Sequence, residues 1–467
     1  MKYFYLLFVF AFTLSLEASY EPNWKSLDSR PTPGWWTEAK FGIFIHWGPY
    51  AVPAYAPVSA DGSFSWGGFS EWYQGRLIEA KKKGKKHAHH EKFYNAAPYA
   101  NFASEFKARF YDANKWAELF KRCGAKYVVL TSKHHDGYAL WPSAQSPYFN
   151  SVAVGSGRDL AGEFAEAMKK AGLRRGFYFS LLEYANPLYP GIRDSVKTKD
   201  ALDIKEWSRQ VSLPQLKDLV SRYSPDIVWA DGEWDYNSSD HLAEEFLSWL
   251  YTSSPVKDDV VVNDRWGKDS RGIHGGHYTT EYGAGERGAK ADKVIHPWEE
   301  CRGIGGSFGY NRFEDPKHYM SRKKCIETLV GVCARGGNLL LNVGPDPDGL
   351  IPPIMEDRLL AIGRWLDVNG EAVYGSKRWD DADLKLKKNG IYFTQKGDNI
   401  YVICFKWPRE LDIKKTGEVS SVAFLGCNSE LQFEQLGDGI KIKMPNISPS
   451  ELPCEHAWVF RITRKVK

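Results

Sequence analysis

The sequence predicts an α/β fold: a (β/α)8-like barrel followed by a small antiparallel β-sandwich. Three observations carry this. Short apolar runs alternate with helix-like runs from about Phe41 to Val373, the rhythm of a parallel sheet covered by helices. No glycine-rich nucleotide turn follows the first run, which counts against an open doubly wound sheet. From about Lys377 the period changes to strands joined by tight turns. At 467 residues the chain has room for one large domain and one small one.

In order, barrel strands are expected at residues 41–47, 127–132, 175–181, 227–230, 260–264 and 338–343, six of the eight that closure needs. Helices are expected between and after them at 114–123, 160–170, 216–222, 241–251, 319–334 and 359–368. Asp159 caps the start of 160–170 and Gly172 ends it. Residues 390–395 and 399–405 flank Lys396-Gly397-Asp398, a hairpin signal, and 431–435 and 440–444 flank 436–439 in the same way. A last strand is expected at 458–463. The barrel domain is thus placed at 19–376 and the sandwich, read as a packing module, at 377–467.

Residues 1–18 read as a signal peptide: Met1-Lys2, an apolar stretch to Leu16, then Ala18, after which cleavage is expected. The stretch is short for a bilayer span, and no later segment is apolar for long enough. Export to a periplasm, the exterior or a lysosome is expected. Lys+Arg 62 against Asp+Glu 58 leaves +4, too balanced to favour nucleic acid or an acidic membrane surface. Export permits disulfides, but seven cysteines leave at least one unpaired within the chain, and the lack of CxxC spacing argues against a zinc or redox motif. Asn237-Ser238-Ser239 and Asn446-Ile447-Ser448 are glycosylation sequons. The basic run 81–90, with His87, His89 and His90, reads as a solvated loop rather than a metal site.

The segment 225–235, Pro-Asp-Ile-Val-Trp-Ala-Asp-Gly-Glu-Trp-Asp, begins as a buried strand and ends in three carboxylates among tryptophans. Buried carboxylates are costly unless solvated, paired or used. Rings beside carboxylates suit a sugar, whose C–H faces stack while its hydroxyls bond to charged groups. Aromatics form 15% of the chain, with 18 Trp, which fits a carbohydrate surface as well as a core. In a barrel the site lies at the C-terminal ends of the strands. Those ends present His46; His134, His135 and Asp136 after Lys133; Tyr178 and Glu183; Asp231, Glu233 and Asp235; and Asp264-Arg265-Trp266. Cleavage of a glycosidic bond with retention needs two carboxyl groups about 5–5.5 Å apart. Asp231, nearest its strand, leads for the nucleophile, with Glu233 and Asp235 as alternatives. Glu281, Glu286, Glu299 and Glu300 are candidates for the second group, Glu299 favoured by its apolar neighbour Trp298.

Several segments resemble the α-L-fucosidases of glycoside hydrolase family 29. They are Lys40-Phe41-Gly42-Ile43-Phe44-Ile45-His46-Trp47-Gly48, Phe69-Ser70-Glu71-Trp72-Tyr73, Thr131 to Tyr138, Trp229 to Trp234, Val262 to Gly267, Trp298-Glu299 and Gly337 to Pro345. The resemblance covers roughly Trp35 to Tyr374 and keeps the motifs in order. It implies a retaining, exo-acting α-L-fucosidase that removes terminal α-L-fucosyl residues from fucosylated oligosaccharides or glycoconjugates. It implies no cofactor, no metal, and no nucleic-acid or membrane partner, and is compatible with an oligomer. Asp231 matches the nucleophile and Glu299 the acid/base. His46, Glu71, Trp72, His134, His135, Trp229 and Tyr178 match pocket positions, and Arg287 is the expected pocket arginine. Residues 53–68 and the insertion after Arg76 depart from the family pattern, and are expected to shape the leaving-group side. Two rivals stand beside this reading. One is a fucose-binding barrel without turnover. The other is a metal-dependent hydrolase using His46, His134, His135 and Asp231 as ligands, against which the first strand offers no His-x-His pair.

Overall fold

The structure is a computed structural model and describes residues 19–190, 201–283, 296–427 and 431–465. The expected signal peptide, Arg287 and Glu286 therefore lie outside the described residues.

Eight parallel strands form the large sheet: β1 Phe41–Ile45, β2 Tyr127–Lys133, β3 Arg174–Ser180, β4 Ile227–Asp231, β5 Val261–Val262, β6 Tyr278–Glu281, β7 Trp298–Gly303 and β8 Asn338–Val343. Their order is β5-β4-β3-β2-β1-β8-β7-β6. The two ends of this sheet meet at one parallel bridge, Asn263 to His277, where the His277 amide donates to the Val262 carbonyl at 3.0 Å. β1, β2, β4 and β8 are buried at every position, which is why they read as unbroken apolar runs. β5 is shorter than the expected 260–264. β6 and β7, Tyr-Thr-Thr-Glu and Trp-Glu-Glu-Cys-Arg-Gly, carry no such run, and the sequence did not predict them.

One glycine shapes the barrel base. A Cβ on Gly42 would lie 2.3 Å from the Tyr127 ring, so its absence lets Tyr127 cross the interior. The helices Ala113–Arg122, Leu160–Ala171, Leu213–Tyr223, Ala243–Thr252, Arg322–Cys333 and Pro353–Asn369 pack outside the strands. The Asp159 side chain accepts from the Gly162 amide and Gly172 ends its helix at φ 74°, as the sequence predicts. The basic run differs from expectation: much of it is helical, in Tyr73–Lys82 and Ala88–Tyr94, and Tyr73 Oη sits 3.0 Å from His89 and 3.2 Å from His90.

The C-terminal region is two antiparallel sheets, β12-β15-β10-β9 and β11-β14-β13, built from β9 Ile391–Lys396, β10 Asn399–Cys404, β11 Leu411–Ile413, β12 Val419–Phe424, β13 Phe433–Leu436, β14 Gly439–Ile442 and β15 Trp458–Arg464. Ile400 and Val402 from one sheet and Ile413, Ile440 and Ile442 from the other share one apolar core, the mark of a sandwich. The seven cysteines are all free thiols. No helix among the described residues is long and apolar enough to cross a membrane.

Candidate active site

A pocket of about 460 Å³ opens at the C-terminal ends of the strands. Its wall brings together His46, Glu71, Trp72, His134, His135, Tyr178, Trp229 and Asp231, all the expected pocket residues that are described. Arg265, Arg271, Glu281, Cys301, Phe44 and Phe308 complete much of the rest. Asp231 ends β4. Gly232 follows at φ 80°, a left-handed turn in which a Cβ would lie 2.7 Å from Leu182, so the chain leaves the strand at once and only the first of the three carboxylates faces the pocket.

The Asp231 carboxylate is held at both oxygens. Arg265 Nη1 donates to Oδ1 at 2.8 Å and Tyr178 Oη donates to Oδ2 at 2.8 Å. Burial pushes this carboxyl up, but Arg265, His135 and the two hydrogen bonds outweigh it and hold it below the usual carboxylate range. An ionised oxygen fixed in place is what a nucleophile requires. Glu233 is buried behind it, beside Arg271 at 3.5 Å, and burial together with the Asp231 charge raises it to about 7.

The histidines are neutral. Burial lowers His46 to about 3 and His135 to about 4, and lowers His134 well below the ordinary value. Their tautomers follow from their neighbours. Asn342 Nδ2 donates to the Phe308 carbonyl at 2.6 Å, so its Oδ1 accepts from His46 Nδ1 at 2.7 Å. Ser180 Oγ gives its proton to the Leu182 carbonyl at 2.6 Å, so it accepts from His135 Nδ1, also at 2.6 Å. Both rings are left with Nε2 as an acceptor for hydroxyl groups. Glu71 accepts from the Gly309 amide at 2.8 Å, and burial raises it to about 7, so it holds a proton through much of the acid range. Trp72 stands edge-on to His135 at 4.9 Å, and His134 lies parallel to Tyr178 at 5.3 Å. Together these groups make a small compartment of acceptors, one acid and apolar ring surface, suited to a deoxy sugar.

Glu299 stands elsewhere. It is the second residue of β7 and pairs with Thr279, whereas Cys301, two residues on, pairs with Glu281 and lines the pocket. Glu299 is 1% exposed and lies in the layer beneath the floor. It accepts from Tyr127 Oη at 2.6 Å and from Trp229 Nε1 at 3.0 Å, with His277 Nε2 at 3.3 Å. Glu300 is paired with Arg302 at 3.3 Å and Arg335 at 3.1 Å. Glu281, by contrast, ends β6, lines the pocket, and its side chain is 21% exposed. Arg265 Nη2 meets it at 2.5 Å while Nε donates to Thr279 at 2.8 Å. One guanidinium therefore spans Asp231 and Glu281. Sequence reasoning placed Arg265 at a strand end without giving it this part. Among the described residues no cluster of His, Cys, Asp and Glu is arranged to hold a metal ion.

A barrel whose strand ends carry a fixed carboxylate, a second carboxylate and hydroxyl-binding histidines defines a glycoside hydrolase. The alpha-L-fucosidase family model matches residues 8–371, and the alpha-L-fucosidase C-terminal domain matches 385–463. The chain is 41% identical to the tissue alpha-L-fucosidase of Rattus norvegicus over 95% of its own length and 93% of the relative's. It is 40% identical to that of Homo sapiens over 95% and 92%. The solved Thermotoga maritima alpha-fucosidase in complex with fucose superposes with a TM-score of 0.79 at 35% identity, over 95% of this chain and all of the other. The chain belongs to the alpha-L-fucosidase family, glycoside hydrolase family 29.

Proposed function

We propose that this α-L-fucosidase releases terminal α-L-fucosyl residues by double displacement with Asp231 as nucleophile and Glu281 as acid/base. The observation that carries the pairing is the Arg265 fork, which touches both carboxylates at the pocket wall. Glu299, the acid/base expected from the resemblance, is given instead the task of fixing Tyr127 and Trp229 beneath the sugar.

In the first step an Asp231 oxygen bonds to the anomeric carbon. The glycosidic C–O bond breaks, and the leaving oxygen takes the Glu281 proton. In the second, water attacks the fucosyl ester, Glu281 takes the water proton, and fucose leaves with its α configuration restored. Arg265 touches both carboxyl groups in the free enzyme, at 2.8 Å and 2.5 Å, and so fixes their relative positions. His46 and His135 accept from ring hydroxyls and Glu71 donates to one. A sugar lacking a matching hydroxyl leaves such buried groups unpaired and is rejected. The substrate is a fucosylated glycan. We also read residues 1–18 as an export signal, from their basic start and apolar stretch. The test follows the anomer first released from an aryl α-L-fucoside by proton NMR. The α anomer is expected from the wild type. Asp231→Ala is expected to lose about 10⁴-fold in kcat or more, partly restored by azide as the inverted fucosyl azide. The β anomer, or an active Asp231→Ala, contradicts the reading.

A further inference from the structure

The excursion 57–68, between the turns Pro49–Ala51 and Ser70–Trp72, is not absorbed by the catalytic apparatus. It is nevertheless anchored. The Ser59 carbonyl lies 3.0 Å from His318 Nε2, and Phe64 stacks on Tyr282 at 4.0 Å and 24°. Tyr282 directly follows Glu281. The excursion is thus tied to the side of the pocket where the leaving oxygen receives its proton. At its tip Trp66 is 55% exposed yet lines the same pocket as Asp231 and Glu281. Its ring meets Phe64, Phe69 and Tyr282 at 79°, 84° and 75°, so none of these lies parallel on it. A large apolar side chain left open at the mouth of a polar pocket is an unfilled contact surface.

We infer that Trp66 is the stacking platform for the sugar that carries the fucose, with Phe64 and Tyr282 holding it in place. The occupant is a pyranose ring with an apolar C–H face, such as a galactose or N-acetylglucosamine unit. This specificity role rests on the reading of Glu281 as the acid/base, because it fixes where the leaving group exits.

The experiment compares kcat/KM for α-L-fucosyl fluoride, which has no leaving sugar, with values for α-L-fucosyl-galactose and α-L-fucosyl-N-acetylglucosamine disaccharides. Trp66→Ala should lower the ratio of disaccharide to fluoride by about tenfold, the worth of one well-placed ring. Trp66→Tyr, which restores a ring, should keep it within about twofold. Phe64→Ala, which removes the anchor, should fall between. An unchanged ratio in Trp66→Ala, or a loss that Trp66→Tyr does not repair, overturns the inference. Glu281→Ala, run alongside, separates the two readings: if it impairs the fluoride as severely as the disaccharides, the acid/base assignment fails, whatever Trp66 does.

Discussion

On the β1–β4 side of the barrel, His46, His134 and His135 stand just beyond strands buried along nearly their whole length. Each is fixed by a neutral partner or a packed ring: Asn342, Ser180 or Tyr178. On the β5–β6 side, Arg265 follows a two-residue strand and Glu281 ends a four-residue one, and the contact between them holds both. The first side is preorganised by packing, and can recognise a neutral sugar without cost when empty. The second is preorganised by one guanidinium that touches Asp231 and Glu281 together. On the proposed assignment, recognition and proton transfer sit on walls with different physics.

The comparison is broken most severely at Arg265. Arg265→Lys keeps the charge but not the fork, so it cannot span Asp231 and Glu281 together. A loss of roughly 10²-fold or more in kcat is expected, for aryl fucosides and glycans alike. Next come the two glutamates. Glu281→Ala should cost about 10²–10⁴-fold on glycans, and far less on fucosyl fluoride, whose leaving group needs no proton. Glu299→Ala should act on the fold instead. It leaves the Tyr127 hydroxyl and the Trp229 indole N–H buried without an acceptor, at about 1–3 kcal/mol each, read as a lower melting temperature. On the packed side Tyr178→Phe removes one hydrogen bond to the Asp231 anion. About a tenfold fall in kcat/KM is expected, with the acidic limb of the pH profile moved upward.

The smallest effect is on stability against pH. Glu71 is raised in the folded protein to about 7 from an ordinary 4.5. The folded state therefore keeps a proton that the unfolded chain gives up. The contribution of Glu71 is fully present below pH 4.5, declines as pH rises to about 7, and is flat beyond. The melting temperature of the wild type, measured against Glu71→Gln, should fall over that window. A constant difference would mean that Glu71 is ionised throughout.

How far the sequence revealed this arrangement also divides by wall. β1 to β4 and β8 are legible because burial on both faces forces apolar runs, and the polar residues at or just past the ends of β1, β2 and β4 line the pocket. β6 and β7 are not, because their inward side chains serve Arg265, Trp229 and Tyr127 rather than an apolar core. The preference for Glu299 leaned on the family resemblance and on Trp298 as an apolar neighbour, and adjacent residues of a strand face opposite ways. The signal that favours the proposed Glu281 is position: Asp231 and Glu281 each end their strands, while Glu299 is the second residue of a six-residue strand. That signal becomes usable only once β6 is recognised as a strand. Arg287 lies outside the described residues; among those described, Arg265 contacts Asp231.

The central claim is that proton transfer belongs to Glu281 and not to Glu299. The most direct measurement is the product formed from an activated aryl α-L-fucoside in azide by Glu281→Ala and by Glu299→Ala. With the acid/base removed, azide can occupy its place and attack the fucosyl-enzyme. The expectation is α-L-fucosyl azide, of retained configuration, from Glu281→Ala. Glu299→Ala should give fucose alone. Fucosyl azide of retained configuration from Glu299→Ala, and none from Glu281→Ala, would contradict the account.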